Sequence, residues 1–159
     1  MSKLTNNNDR IVSILIFNAS IQIFVSTALG FIMLIPLQPW GGFSKLYLPS
    51  MHALLAVHLD WYMLAFLEFA CAFMFNMYPS ISSWNVALLL MFGGWVNPMA
   101  YLLRGYGINA FVFGGGPIQL IASSVSGISV VSILVGWSVL LYRFYKHVIA
   151  SNKMTDKSQ

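Results

Sequence analysis

The sequence predicts an all-α, integral membrane four-helix bundle with both termini in the cytoplasm. Three observations lead to this prediction: 58% of the residues are hydrophobic, only 8% are charged, and the apolar residues form long uninterrupted runs. Soluble domains carry roughly 25% charged residues. Because so few charges cannot cover a water-facing surface, lipid must be the solvent for most of this chain.

Four apolar runs are long enough to cross a bilayer core, which takes about 20 helical residues. They cover about 11–35, 52–77, 84–104 and 117–145, within one transmembrane domain over 1–150 that a polar tail at 151–159 follows. The first run is too long for the core of a signal peptide, so we interpret it as a retained span. Proline and glycine separate the runs, and Pro117 suits the first turn of the fourth helix.

The charges predict the orientation of these spans. An even number of spans places both termini on one side, which carries Lys3, Arg10, Arg143, Lys146, Lys153 and Lys157. The opposite side carries only Lys45 and Arg104. The positive-inside rule therefore puts the termini in the cytoplasm, and we expect a bacterial inner-membrane protein. Since the basic residues form no patch, we expect no nucleic-acid partner, and the single Cys71 excludes an internal disulfide.

The second run contains ionisable side chains at a depth where they are costly. His58 lies about two turns inside the predicted outer end, and Tyr62, four residues on, shares its face. Asp60 and Glu68 add two carboxyl groups, each of which needs a partner, water or a proton. An ionisable residue inside a span indicates a functional site. The alternative for His58 is a simple hydrogen bond to a neighbouring helix.

The third run places glycines and polar side chains on one helical stripe. Gly93, Asn97 and Tyr101 recur at helical spacing, and Gly93 with Gly94 would allow a helix or a flat ligand to approach closely. At about 1.5 Å per residue, Asn97 and Tyr101 fall in the outer layer that holds His58. We therefore predict that imidazole, amide and phenol converge on one pocket, within one chain or across a subunit interface. Taken singly, the amide would be a polar contact between helices and the phenol an interfacial anchor.

One deep histidine restricts the metal chemistry of such a pocket. Zinc sites use three or four protein ligands, whereas a b-type haem needs only one proximal histidine and keeps its sixth iron position open. Ferric iron there would act as a Lewis acid toward a substrate oxygen. Asn97 and Tyr101 would orient the substrate and hold developing negative charge. The predicted metal ligand is His58, and the other predicted haem-pocket residues are Tyr62, Gly93 and Gly94.

Three short motifs within about residues 50–145 resemble those of a known group of enzymes. They are His-Leu-Asp at 58–60, Gly-Gly-Trp-Val-Asn at 93–97 with Tyr101, and Gly-Gly-Gly-Pro at 114–117. Together they resemble the styrene oxide isomerases and the related hydroxylaminobenzene mutases. The resemblance implies a homotrimer with haem b at each subunit interface, with His58 as the axial ligand and Tyr101 helping to place the substrate.

The resemblance also implies the reaction. In the isomerases, ferric iron binds the oxygen of a small aryl epoxide, the ring opens, a hydride shifts to the neighbouring carbon, and an aldehyde forms without net redox change. In the mutases, a hydroxyl group moves within an N-hydroxy aromatic to give an aminophenol. The isomerases have an asparagine where this chain has Leu64 and an aspartate where it has Gly93. The mutase-like reaction is therefore the first alternative.

Two further functions stay open from the residues alone. A non-enzymatic b-type haem protein would combine His58 with a second axial ligand and give six-coordinate, low-spin spectra. A transport or structural subunit would instead use His58, Asp60 and Glu68 as a proton or ion path, without haem.

Overall fold

The computed structural model describes residues 2–35 and 50–150, and the side chains from residue 7 onward within those ranges. The long helices are α1 (Ser2–Leu34), α2 (Met51–Met77), α3 (Trp84–Gly105) and α4 (Pro117–Phe144). A 3-10 turn, Pro79–Ile81, joins α2 to α3, and a π-helical turn, Tyr145–Ile149, continues α4. These ranges contain no strand, so the all-α prediction is confirmed.

Local chemistry explains where the helices begin. Ser50 precedes α2, and its side-chain oxygen accepts a hydrogen bond from Ala53 N at 3.2 Å, as a helix-capping serine does. Pro117 occupies the first turn of α4, where its missing N–H has no helical partner to lose. α3 continues through Pro98 as a single helix. The predicted bounds of these three helices therefore agree with the structure to within two residues.

The start of α1 differs from the prediction, since the helix begins at Ser2 rather than near residue 11. Polar residues at positions 7–10 of this segment contact or pack beside the neighbouring helices. Trp84 Nε1 donates to Asn7 Oδ1 at 3.0 Å, and Asn8 is buried. A hydropathy pattern does not register such contacts. The loop at 36–49 and the polar tail at 151–159 lie outside the described residues.

The outer surface of the helices is apolar. Each of the four is long and apolar enough to cross a membrane, and large side chains such as Phe17, Phe24 and Leu134 are 62% to 73% exposed. Soluble monomers rarely expose wide apolar surfaces. The molecule is therefore suited to a lipid environment on most of its circumference.

The helices pack in chain order, most extensively α1 on α2, then α3 on α4, then α2 on α3. The main apolar core lies at the end of the bundle where α1 and α3 begin and α2 and α4 end. It includes Leu15, Phe75, Leu90 and Leu140, one from each helix, all nearly inaccessible. The opposite end, where α2 begins and α3 ends, contains the predicted site residues.

Candidate functional site

A hydrogen bond to α1 fixes the tautomer and the orientation of the His58 imidazole. His58 Nδ1 lies 2.7 Å from the backbone carbonyl oxygen of Ser26. Because a carbonyl only accepts, Nδ1 must carry the hydrogen and donate it. Ser26 Oγ in turn donates to the backbone carbonyl of His58 at 2.6 Å. In the neutral ring this leaves the lone pair on Nε2, which makes no hydrogen bond with any described residue.

The ring of His58 lines an open groove of about 460 Å³ between α1 and α2. Gly30 forms part of its wall, and a Cβ at that position would lie 2.9 Å from His58 Cε1, too close for an ordinary contact. Tyr62 packs edge-on against the imidazole with ring centroids 5.0 Å apart. Its hydroxyl lies 2.6 Å from Thr27 Oγ1. The prediction that Tyr62 shares the face of His58 is confirmed.

Asn97 lies on the other side of α2. Its Nδ2 donates to Asp60 Oδ2 at 2.7 Å, so Asn97 is level with a residue only two positions from His58. The predicted common depth of His58 and Asn97 along the bundle is therefore confirmed. Positions 58 and 60 differ by about 200° around a helix axis, however, so His58 faces α1 while Asp60 faces α3.

Tyr101 lies one turn nearer the end of α3 than Asn97. It lines a cleft of about 370 Å³ between α2 and α3, together with His52, Ala56 and Arg104. Its ring packs on Phe111, with centroids 4.9 Å apart. Within a single chain, the described clefts that contain His58 and Tyr101 are thus on different flanks of α2. The predicted convergence is not formed inside one chain, and its formation across a subunit interface stays a prediction.

The two glycines of α3 permit close packing inside the bundle. A Cβ at Gly93 would collide with the side chain of Ile133 on α4. A Cβ at Gly94 would collide with the carboxylate of Glu68 and the amide of Gln22. Neither glycine lines the groove beside His58. The close contacts of both glycines are therefore with neighbouring helices of the same chain. The two glycines meet different helices because consecutive helical positions point about 100° apart.

Glu68 is the centre of a buried polar cluster. The residue is 1% exposed, and its two carboxylate oxygens accept from Asn18 Nδ2 and Gln22 Nε2, both at 2.6 Å. Trp95 Nε1 donates to Asn18 Oδ1 at 2.9 Å. The need of Glu68 for a partner is therefore met by amides of α1. His58, Asp60 and Glu68 each bond to a different group, so these contacts do not link them into a path.

The contribution of α1 is the part of the site that the sequence interpretation missed. Asn18, Gln22, Ser26 and Gly30 follow one another at intervals of four residues in the mostly apolar part of α1. Residues at that spacing share one helix face. This four-residue spacing is visible in the sequence, but it identifies only one face of α1 and not the helix that the face contacts.

The donor set beside His58 suits a haem better than a bare metal ion. No group of three or more His, Cys, Asp or Glu side chains within residues 7–35 and 50–150 is arranged to hold a metal. A haem supplies its own four nitrogen ligands and needs one imidazole from the protein. A histidine whose other nitrogen donates to a backbone carbonyl is oriented as metal-bound histidines are. Apolar walls from Phe31, Leu34 and Leu55 complete the groove.

No protein-family model, curated protein or solved structure matches this chain.

Proposed function

We propose that this chain is a membrane isomerase that holds haem b through His58 and converts a small aryl epoxide to an aldehyde. The observation that supports it most is the hydrogen bond from His58 Nδ1 to the Ser26 carbonyl. This bond leaves Nε2 as the ligating nitrogen beside an apolar groove. The short motifs that resemble the styrene oxide isomerases suggest the same role for His58.

The complete site would form between subunits. The groove of His58 lies on the α1–α2 flank, and the cleft of Tyr101 lies on the α2–α3 flank. In a closed ring each interface joins two different flanks, because the contact is head-to-tail. A homotrimer would therefore bring the His58 groove of one subunit to the Tyr101 cleft of the next.

The reaction would need few protein groups. When bound, haem would supply an open ferric position that acts as a Lewis acid toward the epoxide oxygen. The bond between oxygen and the aryl-bearing carbon breaks, a hydride moves to that carbon from its neighbour, and the carbonyl forms, so atoms and electrons balance. Tyr101 would donate a hydrogen bond to the developing oxyanion. Asp60 would hold the Asn97 amide in place through Nδ2, leaving Oδ1 of Asn97 for the substrate side.

Tyr101→Phe tests the role of the phenol. We expect epoxide turnover to fall by about 10²-fold, since loss of one such donor has an effect of that size, while the haem absorption stays unchanged. Tyr142→Phe on the exposed face of α4 is the matched control and should keep wild-type turnover. Equal rates for both variants would remove Tyr101 from the mechanism.

Mixed assemblies test whether the site is shared between subunits. His58→Ala and Tyr101→Phe chains, each of low activity alone, are co-expressed with different affinity tags and purified through both tags. At some interfaces the intact His58 of one chain meets the intact Tyr101 of the other, so we expect turnover well above that of either homo-oligomer. Activity no higher than the mean of the two single variants would place both residues in one chain and contradict the shared site.

One observation favours a different substrate for the same site. Position 93 is glycine, and the close approach of Ile133 leaves no room there for a larger side chain. The aspartate that the styrene oxide isomerases have at this position therefore has no counterpart. A mutase-like rearrangement of an N-hydroxy aromatic is the second candidate, and parallel assays with styrene oxide and phenylhydroxylamine distinguish the two.

The apolar helices and the distribution of basic residues also suggest the membrane and the orientation of the chain in it. We propose that the four apolar helices span a bacterial inner membrane with both termini in the cytoplasm. Arg10, Arg143 and Lys146 lie at the end of the bundle where α1 begins and α4 ends, which the positive-inside rule would place in the cytoplasm. Cysteine labelling from either side of spheroplasts would test this orientation.

A further inference from the structure

A polar cleft of about 440 Å³ lies at the opposite end of the bundle from His58, where α1 begins and α4 ends. None of the residues that line this cleft takes part in the proposed reaction. The residues that matter for its chemistry are Asn8, Asp9, Asn76, Ser80, Ser82 and Arg143.

Two buried polar atoms in this cleft lack a hydrogen-bond partner among the described residues. Asn8 is only 6% exposed, and its Oδ1, an acceptor, is buried without a partner. Arg143 donates through Nη2 to the backbone carbonyl of Ser82 at 3.1 Å, but its Nε, a donor, is buried without one. Such groups are destabilising unless something bonds to them. Both residues line the cleft, and each keeps one buried polar group without a partner there.

An apolar groove continues from this cleft toward the middle of the bundle. It also has a volume of about 440 Å³, lies between α1 and α2, and is lined by Val12, Ile16, Phe69 and Phe73. Asn76 lines both the cleft and the groove. Asn8, Val12 and Ile16 are four residues apart on α1 and therefore share one face. A polar end and an apolar continuation are thus joined along one side of the molecule.

We propose that the cleft and the groove together bind one phospholipid whose headgroup carries both a phosphate and a primary ammonium. The phosphate bonds to the Arg143 guanidinium and to the hydroxyls of Ser80 and Ser82, which are donors. The ammonium, with three N–H donors, bonds to the Asp9 carboxylate and to Asn8 Oδ1. One acyl chain lies in the groove.

The position of the cleft along the helices agrees with this ligand. The candidate spans end at Asn7, Met77 and Trp84 on this side, so the cleft lies at the boundary where lipid headgroups are found. Arg10 lies 6.0 Å from the Trp84 ring centroid, and tryptophan is enriched at that boundary. A ligand with a phosphate alone would place its negative charge beside the Asp9 carboxylate and leave Asn8 Oδ1 without a donor, which favours a headgroup that also carries an ammonium.

The test is lipid retention by the full-length chain in detergent, measured by native mass spectrometry. The probes are dioleoyl phosphatidylethanolamine, phosphatidylcholine and phosphatidylglycerol, which share their acyl chains and differ in the headgroup. We expect one phosphatidylethanolamine per chain, retained at least about tenfold more tightly than phosphatidylcholine, whose quaternary nitrogen has no N–H to donate. Glycerophosphoethanolamine, which lacks acyl chains, should compete at least about 100-fold more weakly.

Two substitutions separate the contacts. Asp9→Asn keeps the shape but removes the charge, and we expect it to reduce the preference over phosphatidylcholine to less than about threefold. Asn85→Ala changes an exposed asparagine at the same end, outside the cleft, and should leave the preference intact. Equal retention of the three lipids would mean that the cleft does not recognise the headgroup and would overturn the proposal. An unchanged preference in Asp9→Asn, or competition by glycerophosphoethanolamine as strong as that of the lipid, would overturn it as well.

Discussion

His58→Ala is expected to abolish the Soret absorption of the purified protein and to lower epoxide turnover by at least about 100-fold. Loss of groups that only orient a metal ligand already costs about 10- to 100-fold, and this substitution removes the ligand itself. The imidazole is also held by α1 through the Ser26 carbonyl. The measurements are the absorption spectrum of the detergent-purified protein and the rate of aldehyde formation.

A control variant and a rescue experiment show whether the effect is specific to His58. His147→Ala removes an exposed histidine at the opposite end of the bundle, outside both clefts of the proposed site, and should keep the Soret band. A His58→Gly protein with added imidazole should recover part of the absorption, because free imidazole can occupy the position of the missing side chain. A colourless wild-type protein that still turns over the epoxide would rule out the haem mechanism.

Gly94→Ala is expected to lower the free energy of unfolding by about 2 to 4 kcal/mol, which combines overpacking with the loss of buried hydrogen bonds. The added methyl group would occupy the space of the Glu68 carboxylate and the Gln22 amide. Both groups belong to the buried cluster that joins α1 to α2. Unfolding in mixed micelles of mild detergent and SDS, followed by circular dichroism, measures the change.

Gly127→Ala is the matched control for this substitution. Gly127 lies in α4, and a Cβ there would meet only Phe113 Cζ at 3.6 Å, an ordinary contact. The variant should therefore be as stable as the wild type, or more stable by up to about 1 kcal/mol through its higher helix propensity. Similar losses in the two variants would show that the Glu68 cluster is not the cause.

Local signals in the sequence were sufficient for several features of the molecule. Composition and the length of the apolar runs predicted four helices long and apolar enough to cross a membrane, because this property depends on length and hydropathy and hardly on neighbours. Helical periodicity predicted that Tyr62 shares the face of His58, and counting residues from helix ends predicted the common depth of His58 and Asn97. These properties depend only on the geometry of single helices.

The sequence did not predict which neighbouring helix each deep side chain contacts. His58 and Asp60 are two residues apart, yet one bonds to α1 and the other to α3. Gly93 and Gly94 are adjacent, yet one adjoins α4 and the other Glu68. Periodicity relates the faces of one helix to each other but does not say which neighbour each face meets.

The partners of the buried polar groups therefore depended on packing between helices. Chain length and hydropathy place an ionisable residue in the apolar layer, and the physical cost of burial implies that it has a partner. Ser26 became the partner of His58, and Asn18 that of Glu68, only because α1 packs along α2 over its length. Contacts between residues far apart in the chain depend on the rotation and crossing of whole helices, which no local pattern encodes.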